Sequence, residues 1–174
     1  RTNASNGMKI IITDTSVFFD IIKIKALPEF FALDVEIATT DFVEREILLS
    51  DQKEQIELLK RSRKLTVIQL SPEDVIEVKN FETKRVFKTL PDKTVLWKAK
   101  QLNCPLLTGD GKLRNEASEQ GLIVYGSIWV INVLVDKEII NAKKGIEFLE
   151  ALKSVNDRLP FDEIEKLIKK WNKN

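Results

Sequence analysis

The sequence predicts an α/β protein: a three-layer α/β/α arrangement around a central parallel sheet, with a helical C-terminal extension. Short β-rich runs alternate with helical stretches along most of the chain. The β-rich runs are near-continuously apolar, as parallel strands covered on both faces should be. After Tyr125 the strand signal stops and the pattern turns wholly helical.

Strands are expected at residues 9–13, 35–39, 65–70, 105–108 and 122–125. The first, "KIIIT", runs through three isoleucines until Asp14 ends it. Helices are expected over 17–25, 42–61, 72–87, 94–102 and 111–119, from their recurring apolar positions. Three more follow at 127–135, 142–153 and 161–171. In the last, Pro160 marks the entry, and Phe161, Ile164, Leu167, Ile168 and Trp171 fall at helical spacing. No Gly-, Ser- or Pro-rich linker intervenes, so residues 127–174 are expected to pack on the domain built by 8–126. The polar, patternless residues 1–7 are set aside as a cloning scar or disordered leader.

The composition excludes several chemistries. The chain has no histidine, which rules out Ser-His-Asp and Cys-His catalysis and histidine metal sites. Its single cysteine, Cys104, allows neither an intrachain disulfide nor a zinc cluster. No apolar run approaches the roughly 20 residues that span a bilayer, and a cytoplasmic protein without a membrane role is expected. An enzyme built from this sequence must work with carboxylates, lysine, hydroxyls or a metal held by oxygens. Net charge is +1, yet residues 79–114 carry nine Lys or Arg against three Asp or Glu. That stretch suits an anionic polymer, or is an ordinary solvated helical surface.

In an open α/β sheet, ligands bind beyond the carboxyl ends of the strands. Asp14 follows the first strand, and Asp110 follows "PLLTG" after the fourth. Asp92 stands in "TLPDKTVLWKAKQL". After the second strand, "TTDFVEREIL" holds Asp41, Glu44 and Glu46. Asp41 and Glu44 have the spacing of a capping box. On a helical wheel with Phe42 at zero, Glu46 falls at about 40°, inside the apolar stripe, and Glu44 at about 200°, facing away. Glu46 is therefore the anomalous acid. Asp14, Asp92 and Asp110 each have a plain alternative as helix caps. Their convergence at one end of one sheet raises them above it. A carboxylate cluster without a base in its midst must bind a cation or titrate together. Oxygen-only donors point to Mg²⁺ or Mn²⁺, ions used in phosphate chemistry. Lys98, Lys112 and Arg114 are then candidates to hold phosphates.

The stretches "IIITDTSVFFDII", "TTDFVEREIL", "LPDKTVLWKAKQLNCPLLTGDGKLR" and "EQGLIVYG" occur in that order. Together they resemble a PIN-domain nuclease, the fold of the toxin in VapBC-type toxin–antitoxin pairs. The resemblance covers roughly residues 8–125, and the tail is similar to extensions in one prokaryotic branch of PIN-like proteins. It implies four catalytic and metal-holding acids: Asp14, Glu46, Asp92 and Asp110. Ser16 supplies the small polar side chain beside the first, and Thr108 supports the fourth. Position 93 departs from the family, with lysine where a small residue is usual. Lys93, Lys112 and Arg114 are the expected contacts to RNA phosphates. The resemblance further implies one or two Mg²⁺ or Mn²⁺ ions, hydrolysis of RNA phosphodiester bonds, a possible antitoxin partner and a homodimer. Its alternative is a PIN-fold module that binds RNA or protein and no longer cleaves. A haloacid-dehalogenase-like phosphatase would need an aspartate where Ser16 stands.

Overall fold

The computed structural model describes residues 9–49, 53–61, 63–87 and 89–173; the expected leader, 1–7, lies outside them. Five strands form one sheet: β1 (Lys9–Thr13), β2 (Val35–Thr40), β3 (Leu65–Ile68), β4 (Leu106–Leu107) and β5 (Val124–Tyr125). Their order is β3-β2-β1-β4-β5, and every pairing is parallel. The chain starts in the middle, works outward to β3, then crosses back to β4 and β5. The apolar runs explain this placement: Ile11, Ile12, Ile37, Ala38, Leu106 and Leu107 are all buried.

Helices α1 (Thr15–Lys23), α2 (Leu27–Phe30), α3 (Asp41–Leu48) and α4 (Lys53–Arg61) connect the first three strands. Helices α5 (Pro72–Asn80), α6 (Leu90–Leu102) and α7 (Gly111–Glu119) connect the rest. The first set steps across the sheet in one direction and the second in the other. Right-handed crossovers then cover both faces of the sheet, which gives the three layers, and α3 packs on α6 as well as on α1 and α4. Helix α6 lies directly against β1, β2 and β4. The tail forms α8 (Ser127–Asp136), α9 (Ala142–Val155) and α10 (Phe161–Trp171). Of these, α8 and α9 pack on α1, and α10 packs on α8 and α9.

A buried carboxylate fixes the tail to the sheet domain. Asp20 on α1 accepts hydrogen bonds from the Ser127 hydroxyl (2.7 Å) and the Asn156 amide (2.9 Å). Close helix approach does the rest. A Cβ on Gly145 of α9 would meet Val135 Cγ2 at 2.6 Å and the Trp171 ring at 2.9 Å, so only glycine fits. Among the described residues no helix is long and apolar enough to cross a membrane.

Several element boundaries differ from expectation, and one short helix is new. The helix expected over 42–61 is two helices, α3 and α4. The helix expected over 72–87 stops at Asn80, where Phe81 turns extended. Helix α6 begins at Leu90, because Pro91 in its first turn needs no hydrogen-bond partner for a missing N–H. The four-residue α2, entered through Pro28, has too short a period to show in sequence. The ladders of β4 and β5 are two residues long, but hydrogen bonding continues past them. Ile12 N–H reaches Pro105 O (3.1 Å) and Thr108 N–H reaches Tyr125 O (2.9 Å).

Candidate active site

The strand order reverses beside β1, and the crevice between the carboxyl ends of β1 and β4 is the switch point where such sheets bind ligands. Asp14 sits there, 3 % exposed, as the N-cap of α1. Its Oδ1 accepts from the Ser16 N–H (3.0 Å) and the Ser16 hydroxyl (2.6 Å). Its Oδ2 accepts from the Thr108 hydroxyl at the end of β4. Ser16 Oγ in turn accepts from Gly109 N–H (2.7 Å), and Thr108 Oγ1 from Asp110 N–H (3.0 Å). The loop "TGD" is thereby laced onto the first acid across the switch point. A carboxylate offers about four acceptor sites, and three of Asp14's are used, which leaves one on Oδ2.

Asp110 is the N-cap of α7 and accepts from Leu113 N–H (2.7 Å). Asp14 and Asp110 thus both cap helices that start at the carboxyl edge of the sheet, after β1 and β4. Asp92 does not cap α6. Thr89 holds that position, and Asp92 lies in the first turn, in hydrogen-bond contact with the Thr89 side chain.

The acids feel one another. Burial pushes Asp14 up to about 6, against the hydrogen bonds from Ser16 and Thr108, and the charge of Asp92 adds to the rise. Asp92 is raised first by burial and then by Asp110; the Thr89 hydrogen bond and the Lys112 charge oppose this. Glu46 on α3 is raised by partial desolvation and then by Asp92. Asp92 is the shared neighbour: the structure brings Asp14, Glu46 and Asp110 each within its electrostatic reach. Among the described residues no three of these side chains form a ready metal cage. A hydrated Mg²⁺ or Mn²⁺ keeps several waters and needs only one or two carboxylates directly. Oxygen-only donors and raised carboxyls fit the same hard cation.

The comparisons with known proteins bear on this geometry. A family model described as DUF3368, PIN domain, matches residues 10–173, the sheet and the helical tail together. The chain belongs to the PIN-domain family. A solved PilT N-terminus domain protein from the hyperthermophilic archaeon Sulfolobus solfataricus P2 shares the fold, with a TM-score of 0.51 and 14% identity; the match covers 72% of this chain and 93% of that one. No curated protein matches this PIN-domain chain. PIN domains are in general metal-dependent nucleases, so a nuclease fold is established at that coarse level.

Within this PIN domain Glu46 lies off the buried stripe of α3, contrary to expectation. Glu46 is exposed and Glu44 is buried. The core face of α3 centres on Val43 and Ile47, not on Phe42, whose ring lies under the Arg45 guanidinium at 5.1 Å. Turning the helix that way carries Glu44 inward, where Lys60 of α4 pairs with it. The capping box is also displaced. Thr40 is the N-cap of α3, and the Asp41 carboxylate instead accepts from Arg45 (2.8 Å) and Leu70 N–H (3.3 Å).

The four basic side chains expected to contact phosphates each have an acceptor within the chain. Lys93 donates to Lys79 O (2.9 Å), Arg114 to Thr108 O (2.8 Å), and Lys112 to Val86 O while lying over the Phe87 ring. Lys98 reaches Gln101 and packs over Trp97, which is core. Glu116, a buried acid on α7, grips the loop between α5 and α6 by accepting from Lys84 N–H and Arg85 N–H, a role no motif in the sequence marks. A glutamate on the apolar side of a helix was its one visible signal.

Proposed function

We propose that this PIN-domain protein is a divalent-metal-dependent endoribonuclease, the toxin of a two-protein toxin–antitoxin pair. The observation that carries the reading is the placement of Asp14: it is buried at the switch point of the sheet, held by Ser16 and Thr108 with one acceptor site left open. Asp92, whose charge raises both Asp14 and Glu46 and which Asp110 raises in turn, lies within its electrostatic reach. Such mutual repulsion is relieved by a cation. Asp14, Glu46, Asp92 and Asp110 would hold Mg²⁺ or Mn²⁺, which supplies charge neutralisation at a phosphodiester and activation of water.

The chain's own residues have separable tasks in this reading. Ser16 and Thr108 orient Asp14 so that one acceptor site of Oδ2 stays open. The N-termini of α1 and α7, capped by Asp14 and Asp110, put backbone N–H dipoles beside an incoming phosphate. Lys112 tempers the charge at Asp92. The basic stretch 79–114 supports a polyanionic substrate, and RNA is preferred over DNA on the family resemblance. The antitoxin partner, a homodimer and a cytoplasmic setting rest on that resemblance too.

The test is cleavage of single-stranded RNA, structured RNA and single-stranded DNA by purified protein with Mn²⁺ or EDTA, beside Asp14→Asn and Asp110→Asn. RNA cleavage that needs Mn²⁺ and falls at least about a hundredfold in both variants is expected. No metal-dependent cleavage, or equal cleavage by the variants, would contradict the reading. A protein that binds these RNAs without cutting them would be the non-catalytic module instead.

A further inference from the structure

Two buried threonines join the helices that carry Glu46 and Asp92. Thr40 ends β2 and caps α3, accepting from Val43 N–H (3.4 Å). Thr94 lies in the first turns of α6, two residues after Asp92. Both are fully buried, and their hydroxyls are 2.7 Å apart. The direction of that bond follows from a second one. Thr94 Oγ1 is 2.6 Å from Pro91 O, and a carbonyl only accepts, so the Thr94 proton is used there. Thr94 must therefore accept from Thr40. The result is an ordered relay, from Val43 N–H through the Thr40 and Thr94 hydroxyls to Pro91 O. It begins in the first turn of α3 and ends in the first turn of α6, one residue before Asp92. Chains of this kind polarise one another and fix geometry more firmly than separate bonds.

Glu46 and Asp92 project from these same helices and repel each other. The buried relay ties the first turns of these two helices, which also pack on each other, and so fixes where both carboxylates start. We propose that the Thr40–Thr94 relay is a positioning device that sets the spacing of Glu46 and Asp92, and through it the affinity of the site for its divalent cation. The proposal rests on the cation-binding part of the function proposed above. Thr40 and Thr94 touch neither cation nor substrate in it; they act through the two carboxylates. Valine has threonine's shape without the hydroxyl. Replacing both leaves neither hydroxyl unpaired, but it strips the N-cap of α3 and the donor to Pro91 O, so a modest loss of stability accompanies it. A loss of metal affinity without a loss of fold is the signature of positioning.

Mn²⁺ binding by titration calorimetry tests this directly, in the wild type, Thr40→Val/Thr94→Val, Thr40→Ser/Thr94→Ser, and Thr66→Val as a control. Thr66 bonds Glu36 on the far side of β2 and has no place in the site. The double valine variant is expected to bind Mn²⁺ about tenfold more weakly while its metal-free form stays folded, with a thermal midpoint lowered by several degrees for the lost cap. The serine pair keeps both hydroxyls and should bind as the wild type does, as should the control. Wild-type affinity in the double valine variant overturns the relay and leaves the cation site standing. Should that variant unfold, the serine pair decides, and a loss of affinity there overturns the relay. Absence of Mn²⁺ binding by the wild type overturns both the relay and the cation site beneath it.

Discussion

Asp14→Asn is expected to remove metal-dependent cleavage and, at the same time, to make the metal-free protein more stable at neutral pH. The two effects share one cause. Asp14 is buried, and its folded-state value of about 6 stands above the ordinary 3.8. Below pH 3.8 it is neutral in both folded and unfolded chains and costs nothing. As pH rises through about 6 the folded protein must ionise a buried carboxyl, and stability is lost. The full difference is worth about 3 kcal/mol. Asparagine keeps the N-cap, because its oxygen still accepts from Ser16, so capping alone gives no reason for a loss. It must, however, turn the Thr108 hydroxyl from donor to acceptor. The net gain at pH 7 to 8 should therefore be about 1 to 3 kcal/mol, shrinking to nothing near pH 4. Urea unfolding of both proteins across that range, in EDTA, measures it. Equal stabilities at pH 8 would show that the Asp14 charge carries no penalty in the fold.

Glu116→Ala should be the most destabilising change outside the apolar core. Glu116 is 1 % exposed, and it accepts from Lys84 N–H (3.0 Å), Arg85 N–H (3.1 Å), the Arg85 guanidinium (3.3 Å) and the Gln120 amide (3.0 Å). Burial alone would raise its carboxyl, but those donors outweigh burial and hold it below the ordinary value. Alanine strands four donors at once, and the loss is estimated at about 2 to 4 kcal/mol. For a chain of this size that corresponds to a fall on the order of 5–12 °C in thermal midpoint. The released segment is the α5–α6 loop, which leads straight into the turn bearing Asp92. Cleavage should weaken with it. Arg85 keeps Glu119 at 2.6 Å, so only part of the loop's attachment is lost. A midpoint within a degree or two of wild type would show that the clamp is dispensable.

The parts of this site that were legible in the sequence are those fixed by local pattern. Asp14 and Asp110 follow apolar strands, and strand ends in a parallel sheet share an edge, so their meeting needed no long-range knowledge. Ser16 and Thr108 belong to the same short loops. Glu46 shows the limit. Its wheel position assumed that the most apolar residue, Phe42, points to the core. The true facing of α3 depends on Lys60, which lies on the next helix and compensates Glu44. The cap at Thr40 was hidden for a similar reason: the strand runs one residue further than expected, and Asp41 is drawn off by Leu70 N–H far along the chain. The acceptors of Lys93, Lys112 and Arg114 are backbone carbonyls, which carry no mark in a sequence. The threonine relay was equally invisible, since buried threonines at strand ends look like ordinary β-formers.

The central claim is that four acids from four segments make one cation site. Calorimetric titration of Mn²⁺ into the wild type, Asp14→Asn and Asp110→Asn, at pH 6 and pH 8 in buffers of different ionisation enthalpy, tests it most directly. Saturable wild-type binding, at least about tenfold weaker binding in each variant, and proton release on binding at pH 6 that disappears at pH 8 are expected. Binding of equal strength in all three proteins, or none in the wild type, would contradict it.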